Sequence, residues 1–425
     1  MMDAAAIPGT GGEIRPVERS KRSEEYRAVA VVALAHFVNH FQNLVVPPLF
    51  PILTAQLGIG LVELGIALTV ANILSVVAQL PVGFLVDRVG SRRMLVLGLV
   101  ISAAAFISFG LWPSYWRLLL GMALLGVANS VFHPADYAIL AARIAPARVG
   151  RAFSIHTFSG FLGTAIAPVT MLAVAASLGL NFAVIVAGSI ALLAALPLIF
   201  VRDVDNIPAA RHSNGALAAP RLGLTAVLTP TIIGLTGFFA LLSLSGSGIS
   251  NFSVVALTNA FGTPLAAANL ALTGYLSAQA LGVLLGGFIA DLTRRHAEVA
   301  AVGYAINACI VLAIGTIGLG IVPLVAAMCC AGLLGGLIMP SRDMLVRAAA
   351  PPGAVGRTFG IVTSGSNIGG MLGPLMFDFI MDRGAPQWVF SASVIVMILT
   401  AAVALISDRR SAQRRAVRRA TMPAE

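Results

Sequence analysis

Two sets of polar side chains lie in apolar segments at the spacing of one helix face. In the first such segment, they are His36, Asn39, His40 and Asn43, at i, i+3, i+4 and i+7. In the fourth segment, they are Asn129, His133, Asp136 and Tyr137, of which the first three fall at i, i+4 and i+7. Imidazole and carboxyl groups can exchange protons, and amides can bind a polar solute. We predict a polar pathway here; the alternative is hydrogen bonding between helices alone.

The amino-acid composition indicates which type of structure positions these side chains. Of the 425 residues, 58% are hydrophobic and 10% charged, whereas a soluble domain has about 25% charged residues. The missing polar surface implies that the chain faces lipid, and the long unbroken apolar runs favour helices over barrel strands. We predict an all-α polytopic membrane protein with twelve transmembrane helices. They are predicted at residues 28–53, 62–86, 94–112, 116–142, 153–175, 181–201, 223–256, 265–290, 299–320, 323–347, 357–380 and 388–407.

Polar segments divide the chain into five parts. We predict a tail at 1–27, a six-helix bundle at 28–201, a linker at 202–222, a second six-helix bundle at 223–407 and a basic tail at 408–425. Of the 27 Lys and Arg residues, 25 fall in segments on one side, and only Arg117 and Arg383 fall on the other. The positive-inside rule therefore predicts a multi-pass inner (plasma) membrane protein with both termini cytoplasmic. The net charge of +10 then reflects attraction to anionic lipids of the inner leaflet rather than to nucleic acid.

The two predicted bundles resemble each other in sequence. The stretch at 83–87 matches 287–291, 204 residues later, and Pro134 and Arg151 match Pro340 and Arg357, 206 residues later. Two parallel repeats predict two pseudo-symmetric bundles with a site between them near the middle of the membrane.

The repeat also relates two charged positions. Arg342, which is followed by Asp343, corresponds to Asp136. We expect Arg342 and Asp136 to pair across the two bundles; alternatively, Arg342 and Asp343 lie at the cytoplasmic interface. In the seventh segment, serines and glycines around residues 243–250 predict a locally broken helix, which makes Asn251 a further candidate.

The loop after the second segment has the features of a gate. Gly83 permits close helix approach and Gly90 a tight turn. Asp87 can cap a helix end and pair with an arginine. Contacts that form in one conformation and break in the other bias such a gate. The candidate gating residues are Gly83, Asp87, Arg88, Gly90, Arg92, Arg93 and, in the second copy, Asp291.

This loop resembles the signature of the major facilitator superfamily, Gly-x-Leu-x-Asp-Arg-x-Gly-Arg-Arg. It departs from it at Ser91, where a basic residue is usual. The resemblance covers residues 28–407. The stretches at 36–40 and 132–134 are similar to the fosmidomycin-resistance group of drug exporters. The acidic residue that many members carry at the end of the fourth span is absent from 141–146, which leaves the partner of the loop arginines open.

The resemblance implies a secondary active transporter, not an enzyme, whose spans one, four, seven and ten line a central cavity. We expect alternating-access export of a small organic solute, coupled to protons. One alternative is proton-coupled uptake of a small carboxylate or other organic anion held by Arg342 and the histidines. Another, from a different class, is a receptor without transport.

The expected partners follow from these hypotheses. They are a small-molecule solute, protons and anionic lipids, with no cofactor, no metal and no nucleic acid, and we expect a monomer. Asp136 leads the candidates for proton coupling, together with His133, His40 and His36. His156 is ranked last because it follows Arg151 closely and is expected nearer the cytoplasmic face.

Overall fold

The structure is a computed structural model that describes residues 16–201, 228–351 and 353–420. The predicted linker at 202–222 lies outside the described residues, as do residues 1–15 and 421–425 of the two predicted tails. The helices are α1 Pro16–Asn43, α2 Phe50–Leu57, α3 Leu61–Val89, α4 Ser91–Leu111, α5 Tyr115–Arg143, α6 Val149–Leu178, α7 Leu180–Phe200, α8 Pro230–Phe261, α9 Leu265–Leu292, α10 His296–Thr316, α11 Ile321–Ala349, α12 Val355–Asp382 and α13 Trp388–Ala420.

The described residues form helices and contain no strand, which confirms the predicted all-α fold. Among these residues, eleven helices are long and apolar enough to cross a membrane. The eleventh predicted span, 357–380, lies in α12 and is not one of those eleven helices, so the count of twelve stays a prediction. At its C-terminal end α13 continues to Ala420, beyond the predicted start of the basic tail at 408.

The first predicted span, 28–53, is wrong in its bounds. The helix begins earlier, at Pro16, and ends at Asn43; a short 3-10 turn at Pro47–Leu49 and the separate helix α2 follow. The break falls where Pro47, Pro48 and Pro51 remove backbone donors and clash with a continuing helix.

The predicted local break in the seventh span is also wrong, since α8 is continuous from Pro230 to Phe261. Its polar side chains bond within the helix. The Ser245 hydroxyl donates to the Leu242 carbonyl at 2.9 Å, and the Asn251 amide donates to Ser247 Oγ at 3.0 Å. These bonds satisfy the polar groups without opening the backbone.

The two halves, α1–α7 and α8–α13, pack their helices in the same way. In the first half α1 packs on α6, α3 on α5 and α4 on α7; in the second, α8 packs on α12, α9 on α11 and α10 on α13. The halves meet where α3 and α5 contact α12 and where α6 contacts α9 and α11. We call this contact the seam. Its two sides, α3–α12 and α6–α9, are related by the internal repeat.

Glycines allow the closest approaches between helices inside each half. A Cβ on Gly163 of α6 would collide with the Phe37 carbonyl of α1, and one on Gly369 of α12 would collide with the Ala240 carbonyl of α8. These glycines are 206 residues apart, so the repeat preserves the contact that brings α6 onto α1.

We expect Gly163→Leu to destabilise the protein by about 1–3 kcal/mol or more, because backbone atoms of α1 cannot yield as a side chain would. The measurement is the thermal unfolding midpoint in detergent, together with the yield of monodisperse protein. Gly237→Leu is the matched control, since nothing lies within 4 Å of a Cβ on Gly237. An equal loss in both variants would show that the packing of α6 on α1 is not the cause.

Candidate functional site

A buried cluster forms where α1, α5 and α6 meet. Oδ2 of Asp136 lies 3.0 Å from Nε2 of His156 and 3.2 Å from Nδ1 of His36. All three residues are at most 2% exposed. Gly160 of α6 lies against the His36 ring and leaves room for it, because a Cβ there would come within 2.8 Å of His36 Nε2.

Two more histidines surround this cluster. The His36 and His156 rings stack at 3.7 Å, and His36 lies 4.5 Å from His40 and 5.2 Å from His133, measured between ring centroids. His40 Nδ1 also lies 3.3 Å from the hydroxyl of Thr164. One ring nitrogen of each of His36, His133 and His156 lies within 4.8 Å of the others, so these three could hold a metal ion.

Two sequence-based expectations about this cluster are wrong. His156, ranked last, is a direct partner of Asp136, because the glycines of α6 bring that helix onto α1. Arg342 does not pair with Asp136; its Nε donates to Asp343 Oδ1 at 2.9 Å. The guanidinium also lies 4.6 Å above the ring centre of Phe239, which holds it within the second half.

A polar bond crosses the seam beside the cluster. The Tyr137 hydroxyl donates to Asp343 Oδ2 at 2.8 Å, and the Tyr137 ring stacks on Phe359 at 3.9 Å. Tyr137 and Asp343 are matched positions of the repeat, 206 residues apart. Asp343 is fully buried and the Arg342 side chain is 15% exposed, so the alternative that placed both at a water interface is not supported. The ring of Tyr137 also lies 5.0 Å from that of His156.

The asparagines of the predicted pathway lie around the cluster rather than in it. The Asn43 amide donates to Asn129 Oδ1 at 3.2 Å, and Asn129 donates to Ser75 Oγ at 2.8 Å. Asn39 is 1% exposed, and neither atom of its amide has a hydrogen-bond partner within the described structure. Asn251 is exposed and bonds within its own helix, so the structure does not bring it to the cluster.

The candidate gating aspartates join the two halves at the arginine-rich end of the bundle. Arg357 Nε of α12 donates to Asp87 Oδ2 of α3 at 2.6 Å, and Arg151 Nε of α6 donates to Asp291 Oδ2 of α9 at 2.6 Å. Each carboxylate also lies at the first turn of the opposing helix, where the Gly150 N–H donates to Asp291 Oδ1 at 2.7 Å. The positive end of the helix dipole adds to each pair.

The other residues of the loop hold it in place. Arg92 donates to the carbonyls of Leu198 and Ile199 at the end of α7, at 3.0 and 3.2 Å. Gly90 has φ of +101°, a backbone conformation that favours glycine. A Cβ on Gly83 would lie 3.1 Å from Arg357 Cα. The side chains of Arg88 and Arg93 are exposed.

Sequence reasoning missed the partners in the other half. It noted Arg151 and Arg357 only as evidence of the repeat, although their position beside matched glycines could have identified them as partners of Asp291 and Asp87. It also missed Gln79 of α3, whose amide donates to Thr363 Oγ1 at 2.8 Å and accepts from Asn367 at 2.9 Å. Nothing in the local sequence around Gln79 indicates these contacts with α12.

Comparison with known proteins finds similarity over nearly the whole chain. A family model described as Major Facilitator Superfamily matches residues 32–247 and 235–423. The fosmidomycin resistance protein of Escherichia coli (strain K12) is 21% identical over 403 residues, which cover 92% of this chain and 95% of that protein.

Two solved structures share the fold. The crystal structure of the E. coli fucose:proton symporter aligns with a TM-score of 0.67 at 14% identity, covering 88% of this chain and 98% of that one. The human organic anion transporter MFSD10 aligns with a TM-score of 0.68 at 17% identity, covering 89% and 99%.

Proposed function

We propose, from the premise that this chain belongs to the Major Facilitator Superfamily, that it exports a small organic solute in exchange for protons. Membership makes it a multi-pass membrane transporter of solutes and not an enzyme, as the sequence predicted. Direction, driving ion and solute are the proposed part. The name of the E. coli relative, a fosmidomycin resistance protein, favours export, because a cell resists a compound that it expels.

The proposal rests on one observation, the two ion pairs that cross the seam. Asp87–Arg357 and Asp291–Arg151 join the halves at one end of the bundle. Since Lys and Arg concentrate at that end, we assign it to the cytoplasm, together with both termini. The solute path is then closed toward the cytoplasm. Opening it requires both ion pairs to break, while the packing inside each half is kept.

We assign the proton coupling to Asp343 rather than to Asp136. Among the described residues, the ion-pair partners of the Asp136 carboxylate are His36 and His156, which lie in the first half with it, so its charge does not bear directly on the seam. The Asp343 carboxylate accepts the Tyr137 hydroxyl from the other half. A change in the charge of Asp343 therefore changes the bond between the halves.

The exchange of solute for protons follows from competition between the solute and a proton at the Asp343 carboxylate. Ionised, Asp343 makes charge-assisted bonds to Tyr137 and Arg342, which are about twice as strong as neutral ones. A proton on Asp343 weakens both bonds and loosens the seam. A solute that binds beside Asp343 and favours its ionised form displaces the proton, which produces antiport. Among the described residues, His133, His156 and Tyr304 also interact electrostatically with Arg342, and Tyr304 does so with Asp343 as well.

The buried guanidinium of Arg342 favours a second candidate function, the uptake of an organic anion. Arg342 is largely buried and stacked on Phe239, and a protonated Asp343 would leave it free to bind a carboxylate. In that case proton and anion bind together and move in the same direction. Solute accumulation in inverted versus right-side-out vesicles separates the two functions.

We expect Tyr137→Phe to reduce pH-driven solute flux in proteoliposomes several-fold, because it removes the hydrogen bond to Asp343 and keeps the stacking on Phe359. The solute is first identified by a thermal-shift screen of the purified protein, since a bound solute stabilises it. Tyr275→Phe, at a buried tyrosine of the second half, is the matched control and is expected to affect flux less. Unchanged flux in Tyr137→Phe would remove this bond from the mechanism. Absence of flux for every solute that binds would favour the receptor hypothesis.

A further inference from the structure

We propose that His36, His133, His156 and Asp136 form a binding site for a divalent transition-metal ion of the zinc type. The donors come from α1, α5 and α6, so the site lies within the first half and does not depend on the solute or on Asp343. One ring nitrogen of each histidine lies within 4.8 Å of the others. Asp136 Oδ2 lies 3.0 Å from His156 Nε2 and 3.2 Å from His36 Nδ1.

Several donor atoms of this cluster have no hydrogen-bond partner. Within the described structure these buried atoms include Asp136 Oδ1, His133 Nδ1 and His156 Nδ1. A buried polar atom without a hydrogen-bond partner destabilises the folded state. Side chains that only joined helices would be expected to satisfy each other, whereas a bound cation would accept one lone pair from each residue and offset part of the cost.

The charge of an ionised Asp136 also favours a cation in this cluster. The Asp136 carboxylate is fully buried, and its ion-pair partners among the described residues are His36 and His156. Arg342, whose charge is permanent, bonds Asp343 instead. A divalent ion supplies positive charge that stabilises the ionised form of this buried carboxyl group.

The donor set selects the class of ion. Three imidazole nitrogens and one carboxylate oxygen suit zinc and similar borderline ions in tetrahedral geometry, whereas magnesium and calcium prefer oxygen ligands. Zinc–nitrogen bonds of about 2.0–2.1 Å place neighbouring ligands about 3.4 Å apart. The nitrogens therefore need to close by at most about 1.4 Å. His133 is the partly exposed member of the set and gives the ion a route of entry.

The test is calorimetric titration of the full-length, tag-free protein in detergent, after removal of metals with a chelator. We expect one Zn²⁺ to bind per chain with micromolar affinity or better, and no measurable binding of Mg²⁺. His133→Gln should weaken Zn²⁺ binding by about tenfold or more, because it removes a ligand. His296→Gln, a histidine of the other half, is the control and should bind Zn²⁺ as the unmodified protein does. Equal binding by all three proteins, or no preference for Zn²⁺ over Mg²⁺, would overturn the proposal.

A second measurement needs no variant, which matters because His36 and His156 are buried and their replacement endangers folding. X-ray absorption at the zinc edge of the unmodified complex reports the ligands directly. We expect a four-coordinate shell with three imidazole nitrogens and one oxygen. A shell without imidazoles would overturn the proposal even if zinc binds. A failure of solute transport would leave both results unchanged, so the two proposals are tested separately.

Discussion

Asp343→Asn is expected to abolish solute accumulation driven by an imposed pH gradient, down to the level of protein-free liposomes. The amide keeps the size of the carboxyl group but cannot take up and release the proton. Exchange of labelled for unlabelled solute needs no net proton movement, so it should remain measurable at high solute concentration, although the neutral amide weakens solute binding. The measurement is solute flux in proteoliposomes, with and without the gradient.

The control for this variant is Glu298→Gln, the same chemical change at an exposed carboxylate of the second half, which pairs with Arg295. It should leave pH-driven flux unchanged. If Asp343→Asn retained full accumulation, Asp343 would not be the coupling group. If Asp136→Asn alone abolished it in a folded protein, the coupling would lie in the histidine cluster instead.

Asp87→Ala is expected to reduce turnover far more than solute affinity. The Arg357 and Asp87 side chains are 10% and 12% exposed, and breaking such a nearly buried ion pair costs about 3–5 kcal/mol because one charge is left alone. Since about 1.4 kcal/mol is a factor of ten, the closed state loses roughly a hundredfold or more of its population relative to the open one. The maximal rate and the half-saturating solute concentration in proteoliposomes measure the two effects.

The symmetry-related ion pair provides a comparison for Asp87→Ala, and an ion pair within the first half provides its control. Asp291→Ala removes the symmetry-related pair with Arg151 and should have an effect of the same kind. Glu25→Ala removes an ion pair with Arg148 at 2.8 Å, but both residues belong to the first half, so turnover should change little. An equal loss of turnover in Glu25→Ala and Asp87→Ala would show that charge at this end, rather than contact between the halves, matters.

The fold was largely predictable because the features that determine it are visible in the sequence itself. Long apolar runs specify helices in lipid, and the matched glycines and arginines 206 residues apart reveal two equivalent halves. The errors have local causes. Prolines after Asn43 split the first span, whereas α8 is continuous and its serine side chain at Ser245 bonds back to its own helix.

The site was predictable only in part. The spacing of His36 and of Asp136 placed each on a polar helix face, and both lie in the cluster. His156 could not be ranked from local sequence, because its approach depends on the glycines that set the packing of α6 on α1. Partners in the other half, such as Asp343 for Tyr137, depend on how two helices meet far apart in the chain, which helix periodicity does not determine.

Spin-label distances across both ends of the seam would decide whether the halves alternate as proposed. With Cys309, Cys329 and Cys330 replaced, one pair of labels is placed at Val89 and Ala348, at the arginine-rich end, and another at Glu63 and Arg383, at the opposite end. In the labelled protein that keeps Asp87 and Asp291, the two labels of the first pair should lie close together. In Asp87→Asn combined with Asp291→Asn, it should shift to longer distances while the second pair shifts to shorter ones. Distances that remain unchanged at both ends, or that lengthen at both ends together, would contradict alternation about the seam.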